Sequence, residues 1–240
     1  MQEIHIKDKT IKLKESNEVW MPTRFGIALG ELILEGARPN PRVLELGVGS
    51  GVLSILCGMW GTKVTALDIN MAALELTEEN WKLNGLPQEN LEVRYSDLFS
   101  GMDENDVEGY SLLFSNPPTF PGLPPDYLLR KSRDEWEFAG NDGRLVLDAV
   151  ITQGSSWLKT GGRMVTIATS KQGWNQTVEL MDKHWKKWKI LRTEDLPLAD
   201  YYDPYIELWV QKSKKENQVR IFKKNGKWQQ RLYFIEAFKN

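Results

Sequence analysis

The sequence predicts an α/β protein built on a mostly parallel seven-stranded sheet, with helices on both faces and short β additions at either end. Three observations carry that expectation. Short apolar runs alternate with longer amphipathic ones from residue 41 to residue 210. The stretch 41–70, PRVLELGVGSGVLSILCGMWGTKVTALDIN, reads as strand, glycine turn, helix and strand. A chain of 240 residues, 41% of them hydrophobic, suffices for one sizeable core.

In chain order, residues 3–13 mix apolar and charged side chains and are expected to form a hairpin turning near Asp8 and Lys9. A polar and aromatic patch, 19–26, leads into a helix over 27–35, and residues 1–40 together form an amino-terminal unit covering the ligand site. Next come a strand at 43–46, a turn at Gly47, Gly49 and Gly51, a helix over 52–60 and a strand at 63–67 that ends in Asp68. The glycines let the backbone pass close to a ligand, and the start of the helix offers bare N–H groups to it. Asp68, at the carboxyl end of its strand, can accept hydrogen bonds from a pair of ribose hydroxyls. A dinucleotide site would want G-x-G-x-x-G, but position 52 is valine. Glu45 would repel a pyrophosphate and attract a sulfonium or an α-amino group.

Residues 71–83 have a helical pattern stopped by Asn84-Gly85, and the strand 91–95 ends in Ser96-Asp97. Phe99 either covers a bound ring or lies in the core. After an acidic loop over 101–109, the strand 110–115 delivers Asn116-Pro117-Pro118-Thr119-Phe120 at its carboxyl end, where ligands of open α/β sheets bind. The two prolines fix φ and remove backbone donors, leaving a rigid loop with available carbonyl oxygens. A proline-rich run, 121–129, could shape an entrance. Asp142-Gly143 would cap and turn a helix over 146–158. A turn at 159–162 leads to a strand at 163–168, and a helix over 174–188 follows. Residues 190–191 and 205–210 then complete the sheet, the last strand running antiparallel. The tail, 211–240, carries Asn225-Gly226 between extended residues, the strongest hairpin signal in the chain, and is expected to add a sheet edge.

The formal charge of −2 is unevenly spread. Residues 211–240 hold nine Lys or Arg against Glu216 and Glu236, a balance of +7, which leaves −9 in the first 210 residues. That basic end can meet nucleic acid or an acidic protein face. The single cysteine, Cys57, falls in a helix pattern and has no second cysteine to pair with. No apolar run is long enough for a membrane span or shaped like a signal peptide, so a reducing, cytoplasmic setting is expected. No metal site is predicted, and His5 and His184 lie far from the motifs. Monomer and dimer are both open.

The joint pattern of LELGVGSG, Leu67-Asp68, Ser96-Asp97 and Asn116-Pro117-Pro118 resembles the class I S-adenosylmethionine-dependent methyltransferases over about 41–210. Within them it resembles the NPP branch, which modifies the glutamine amide of release factors and the exocyclic amines of adenine and guanine. The resemblance implies a Rossmann-like methyltransferase fold. S-adenosyl-L-methionine would be the cofactor and S-adenosyl-L-homocysteine the product. Glu45, Gly47, Gly49, Gly51, Asp68, Asp97 and Asn116 would bind the cofactor, with Asp68 on the ribose and Asp97 on the adenine amine.

It also implies that Asn116, Pro117, Pro118 and Phe120 form the catalytic loop. The Asn116 side chain and the following carbonyl would accept both hydrogens of the target NH2. The residue after NPP is usually a stacking Tyr or Phe, but here it is Thr119, with Phe120 one place later. Trp20 and Phe25 would close over the methionine end of the cofactor or merely cover the domain edge. A protein glutamine is the favoured acceptor. A nucleic-acid amine reached through the basic hairpin, a small molecule, and a non-catalytic nucleotide-binding protein are the alternatives.

Overall fold

The computed structural model describes residues 1–35, 42–121 and 139–240. Strands β1 (Gln2–Ile6) and β2 (Lys9–Leu13) form an antiparallel hairpin. It is clamped to the helix α3 (Met71–Leu83) by amide side chains: Lys12 N–H donates to Asn84 Oδ1 at 2.9 Å, and Lys14 N–H to Asn80 Oδ1 at 2.7 Å. The helix α1 (Arg24–Leu34) follows, and its Gly30 lets it press on Leu53 and Leu56 of α2 (Val52–Gly58).

The main sheet has eight strands among the described residues. They are β3 (Arg42–Leu46), β4 (Lys63–Asp68), β5 (Leu91–Tyr95), β6 (Tyr110–Ser115), β7 (Leu158–Thr169), β8 (Lys187–Pro197), β9 (Phe222–Lys224) and β10 (Lys227–Phe238). Along the sheet the order is β5-β4-β3-β6-β7-β10-β8, with β9 pairing only β10. Pairings from β5 through β7 are parallel, whereas β10 runs antiparallel to both β7 and β8. Order reverses between β3 and β6, so the carboxyl ends of β3 and β6 open a crevice.

Alternation along each strand separates two apolar layers. Val43, Val64, Leu112, Val165 and Phe234 face α1, α2 and the amino-terminal hairpin. Leu44, Leu67, Leu113, Met164 and Ile235 face α4 (Leu145–Trp157) and α5 (Trp174–His184). A third, smaller cluster joins Phe120, Tyr202, Tyr205, Trp209 and Ile221.

Two strand assignments change. Residues 205–210 are helical: a 3-10 turn over Asp200–Tyr205 runs into α6 (Ile206–Glu216). Tyr202, Tyr205 and Trp209 recur at the spacing of one helix face, and all three are buried. The antiparallel strand is instead β10, which lies inside the sheet with Leu232, Phe234, Ile235 and Ala237 buried, while β9 alone stands at the side as an addition. The Asn225-Gly226 turn is present, with both residues at positive φ, as a two-residue hairpin requires. A boundary at residue 210 falls within α6.

The helix α4 begins after Arg144, not Asp142. Asp142 Oδ1 accepts from Arg144 N–H at 3.1 Å, an Asx turn one step earlier, and Gly143 takes φ +77°. Pro41, residues 122–129, Glu137 and Phe138 lie outside the described residues. No helix among those described is long and apolar enough to cross a membrane.

Candidate active site

A cavity of about 800 Å³ opens over the carboxyl ends of β3, β4 and β6. Most of the residues singled out by sequence meet there: Glu45, Gly47, Gly49, Asp68, Asp97, Asn116, Pro117, Pro118 and Phe120 all line it. Gly51 does not; it is the residue before α2, at φ +81°, and a Cβ there would stand 2.9 Å from Thr77. Its work is to turn the chain and let α2 meet α3.

The loop after β3 is held by its own hydrogen bonds. Gly47 and Val48 N–H donate to Leu67 O, at 2.8 and 3.1 Å, and Gly49 N–H donates to Asp68 Oδ2 at 3.0 Å. Asp68 Oδ1 accepts from Asn70 N–H at 2.9 Å, so the carboxylate is fixed in orientation at the end of β4. Burial raises its pKa against the opposing pull of those backbone donors. At φ +54° Gly49 occupies a left-handed position, and a Cβ would lie 3.1 Å from Trp20 O. The segment containing Trp20 therefore lies directly against the loop.

Glu45 is buried at the floor, accepting from Ser54 Oγ at 2.5 Å. Burial pushes its pKa up to about 8, with Ser54 opposing and the neighbouring Asp68 adding to the rise. A cation brought into this cavity would be matched by two carboxylates that are costly to ionise without it.

Asp97 is exposed at the rim after β5, while Ser96 is consumed in the turn, donating to Leu98 O at 2.7 Å and accepting from Gly101 N–H at 2.9 Å. Phe99 is a core residue, stacked on Trp157 at 5.8 Å, and Leu98 lines the cavity in its stead. His5 and His184 are both absent from the cavity wall.

On the far side, β6 ends in Ser115, whose Oγ donates to Leu46 O at 2.7 Å and ties the NPP loop to the end of β3. Asn116 is half-buried beside Gly26 of α1. Phe120 is buried, stacked on Tyr202 at 4.9 Å and edge-on to Trp20 at 6.1 Å. It thus forms part of the cavity wall. Trp20 and Phe25 both line the cavity.

Sequence reasoning missed Lys171, Tyr201, Tyr202 and Tyr205, which complete this wall. The signal for Lys171 was its place just past the carboxyl end of a parallel strand. For Tyr205 the misassigned strand at 205–210 hid it.

Fit to S-adenosylmethionine is good in this donor set. Asp68 offers acceptors at the end of the second strand of the crevice, Glu45 an anion at its floor, and the left-handed glycines a loop without side chains. Among the described residues no group of three or more His, Cys, Asp or Glu is placed to hold a metal.

Comparisons with known proteins agree with this geometry. A family model described as methyltransferase small domain matches residues 28–129. A provisionally named protein N5-glutamine methyltransferase of Methanocaldococcus jannaschii is 34% identical over 177 residues, 72% of this chain and 83% of that protein. The release factor glutamine methyltransferase of Streptococcus pneumoniae is 30% identical over 203 residues, 76% of this chain and 65% of that enzyme. The chain thus spans less than two thirds of that release factor enzyme, and 44% of the one from Rhodopirellula baltica.

Among solved structures, the E. cuniculi Mtq2–Trm112 complex, described as methylating the termination factor eRF1, matches with TM-score 0.57 at 15% identity. That match covers 93% of this chain and 99% of the other. The T. thermophilus 16S rRNA N2 G1207 methyltransferase, bound to AdoMet and guanosine, matches with TM-score 0.65 at 14% identity, over all of this chain and 50% of the other. At such identities the structures speak to the fold.

Proposed function

The chain belongs to the S-adenosylmethionine-dependent methyltransferase family that includes the protein N5-glutamine methyltransferases, and on that premise we propose that it methylates the side-chain amide nitrogen of a protein glutamine. The observation that carries the reading is the NPP loop at the end of β6, on the wall of the same cavity as the glycine loop and Asp68.

The cofactor supplies an electrophilic methyl group on a sulfonium centre. Asp68 holds the ribose hydroxyls, the rim carboxylate of Asp97 accepts from the adenine amine, and Glu45 meets positive charge at the cavity floor. The Asn116 side-chain oxygen and the Pro117 carbonyl accept the two hydrogens of the target NH2, aiming its lone pair. An amide nitrogen is a poor nucleophile because that lone pair is delocalised. Fixed acceptors favour the transition state, in which the nitrogen gains positive charge, over the ground state. The rigid proline backbone spares reorganisation at that moment. Apolar and aromatic walls, including Trp20 and Phe120, exclude water that would compete for the donors.

The test is transfer of labelled methyl from S-adenosylmethionine into a cell extract, with the products split by protease and nuclease. Label released by protease as N-methylglutamine is expected. Label released only by nuclease would move the acceptor to an exocyclic base amine. With the acceptor in hand, Asn116→Ala should keep cofactor affinity by calorimetry and lose about 10²-fold or more in turnover. Unchanged turnover in the folded variant would remove Asn116 from the mechanism.

A further inference from the structure

The NPP loop grips a nitrogen but provides no outlet for its proton. After the C–N bond has formed and the sulfonium C–S bond has broken, the nitrogen carries the methyl group, two hydrogens and a positive charge. One proton must leave before amide resonance returns. The two oxygens assigned to hold the NH2 group are neutral and do not retain a proton at neutral pH.

Among the described residues, one amine lines the cavity beside that loop. Lys171 lines the cavity and is 1% exposed, with its Nζ 3.1 Å from Thr119 Oγ1 and 3.6 Å over the face of the Tyr202 ring. Thr119 is the residue that follows Asn116-Pro117-Pro118, and its Oγ1 also lies 3.3 Å from Tyr202 Oη. The lysine is held there firmly. Arg220 Nη1 donates to Lys171 O at 2.6 Å, and Arg231 N–H donates to the neighbouring Ser170 Oγ at 3.0 Å. On the other side of the turn, Gln172 Nε2 donates to Gly143 O at 2.6 Å and Arg144 Nη1 to Gln172 O at 2.7 Å.

Resting on the methyl-transfer reading above, we propose that Thr119 and Lys171 form a proton relay from the acceptor nitrogen. Once the methylated nitrogen turns one of its two N–H bonds from the NPP loop to Thr119 Oγ1, that proton passes to Oγ1 as the Thr119 hydroxyl proton passes to the lone pair of Lys171 Nζ. The lysine later returns the proton to solvent. This use of Thr119 gives a purpose to the one place where the loop departs from the aromatic residue usual after NPP.

The surroundings favour the free amine such a relay needs. Burial holds the Lys171 pKa well below the ordinary lysine range. Among the described residues no carboxylate pairs with it. From the NPP loop it meets the Thr119 hydroxyl, and from the segment before α6 the face of the Tyr202 ring. From α6 itself it meets the uncharged Trp209 ring at 5.4 Å. Arg220, held by Glu216, bonds its backbone carbonyl, and Glu45, Asp68 and Asp97 belong to the same cavity wall. The Tyr202 face attracts the ammonium form once a proton has arrived.

Two measurements on the full chain test this. The first is single-turnover transfer to a peptide carrying one glutamine, followed across pH for the wild type, Lys171→Met, Thr119→Val and Thr119→Ser. Thermal melting and cofactor calorimetry establish that each variant is folded. The wild-type rate should rise with pH to a plateau as Lys171 loses its proton. Lys171→Met and Thr119→Val should each be about 10²-fold slower, without that rise, while Thr119→Ser keeps both rate and profile. A folded, cofactor-binding Lys171→Met with the wild-type rate and pH profile overturns the relay.

The second measurement needs no acceptor: NMR titration of lysine side chains labelled with 13C at Cε, with the Lys171 signal identified by its absence in Lys171→Met. A midpoint far below that of the surface lysines is expected, and an ordinary midpoint overturns the proposal whatever the acceptor proves to be. If the wild type binds cofactor but leaves the peptide unmodified, the glutamine reading fails. The relay then stands or falls on the NMR midpoint.

Discussion

Glu45 is the residue that the sequence set beside a glycine loop and whose energetics only the fold could supply. ELGVGSG placed an acid beside a glycine loop; the structure buries that acid on Ser54, with a pKa of about 8. Between the ordinary value of 4.5 and 8 the folded protein keeps a proton that the unfolded chain has lost. Stability should therefore fall as pH rises through that interval, and Glu45→Gln should flatten this dependence in urea melts. A cationic cofactor bound beside Glu45 would favour the ionised form, so binding below pH 8 should release a proton. Affinity should rise by up to about tenfold per pH unit toward 8 and then level off. Calorimetry in buffers of different ionisation enthalpy reads the released proton; none released at about pH 7 would remove Glu45 as the cation's partner. The lysine at the opposite wall was harder to read: its place past a strand end pointed to the site, but nothing local pointed to its burial. A Lys in SKQG reads as a solvated turn, and its burial depends on aromatic side chains some thirty residues further along.

At the scale of elements, local signals fixed most of what surrounds the cofactor end. Strand, left-handed glycines, helix and acid follow one another within thirty residues, and each is decided by short-range sterics. The two glycines flanking that loop should respond differently to a methyl group. Gly47 sits at φ +79° in open space, whereas Gly51 combines φ +81° with Thr77 at 2.9 Å. Gly47→Ala should cost only left-handed backbone strain, about 1–2 kcal/mol. Gly51→Ala should cost more, because α3 must also shift, and urea midpoints should rank the two in that order. Equal losses would show that α2 and α3 yield freely. The acceptor half was less legible. Residues 205–210 contain enough β-formers to pass for a strand, and only their packing against Phe120 and Ile221 selects the helix. A hydrophobic period of two and one of nearly four are hard to separate over six residues.

The molecule as a whole is closed by its last long strand. The tail's hairpin was evident from Asn225-Gly226, yet the partners of β10 in the sheet lie some 30 to 75 residues upstream, beyond the reach of any local pattern. Its positive charge is partly spent inside the protein: Arg231 pairs with Asp195 at 2.6 Å, Arg220 with Glu216, and Lys239 with Glu108 at 2.7 Å. Truncation after residue 218 should therefore abolish cooperative unfolding and cofactor binding, not merely weaken contact with a substrate. A truncated chain that still melts cooperatively and binds cofactor would make β10 dispensable.

The insertion of β10 between β7 and β8 also dictates a timetable. During synthesis, β3 to β7 can pair as each emerges, but among the described residues β8 has no strand partner until residues 229–238 have emerged. Ser170, one residue before the buried lysine, takes its bond from the backbone of Arg231, so the acceptor wall is finished by the same late event. The cavity thus gains Gln230, Leu232 and the support of its lysine turn only when this strand is inserted, so the site is completed as a unit after the parallel strands have paired.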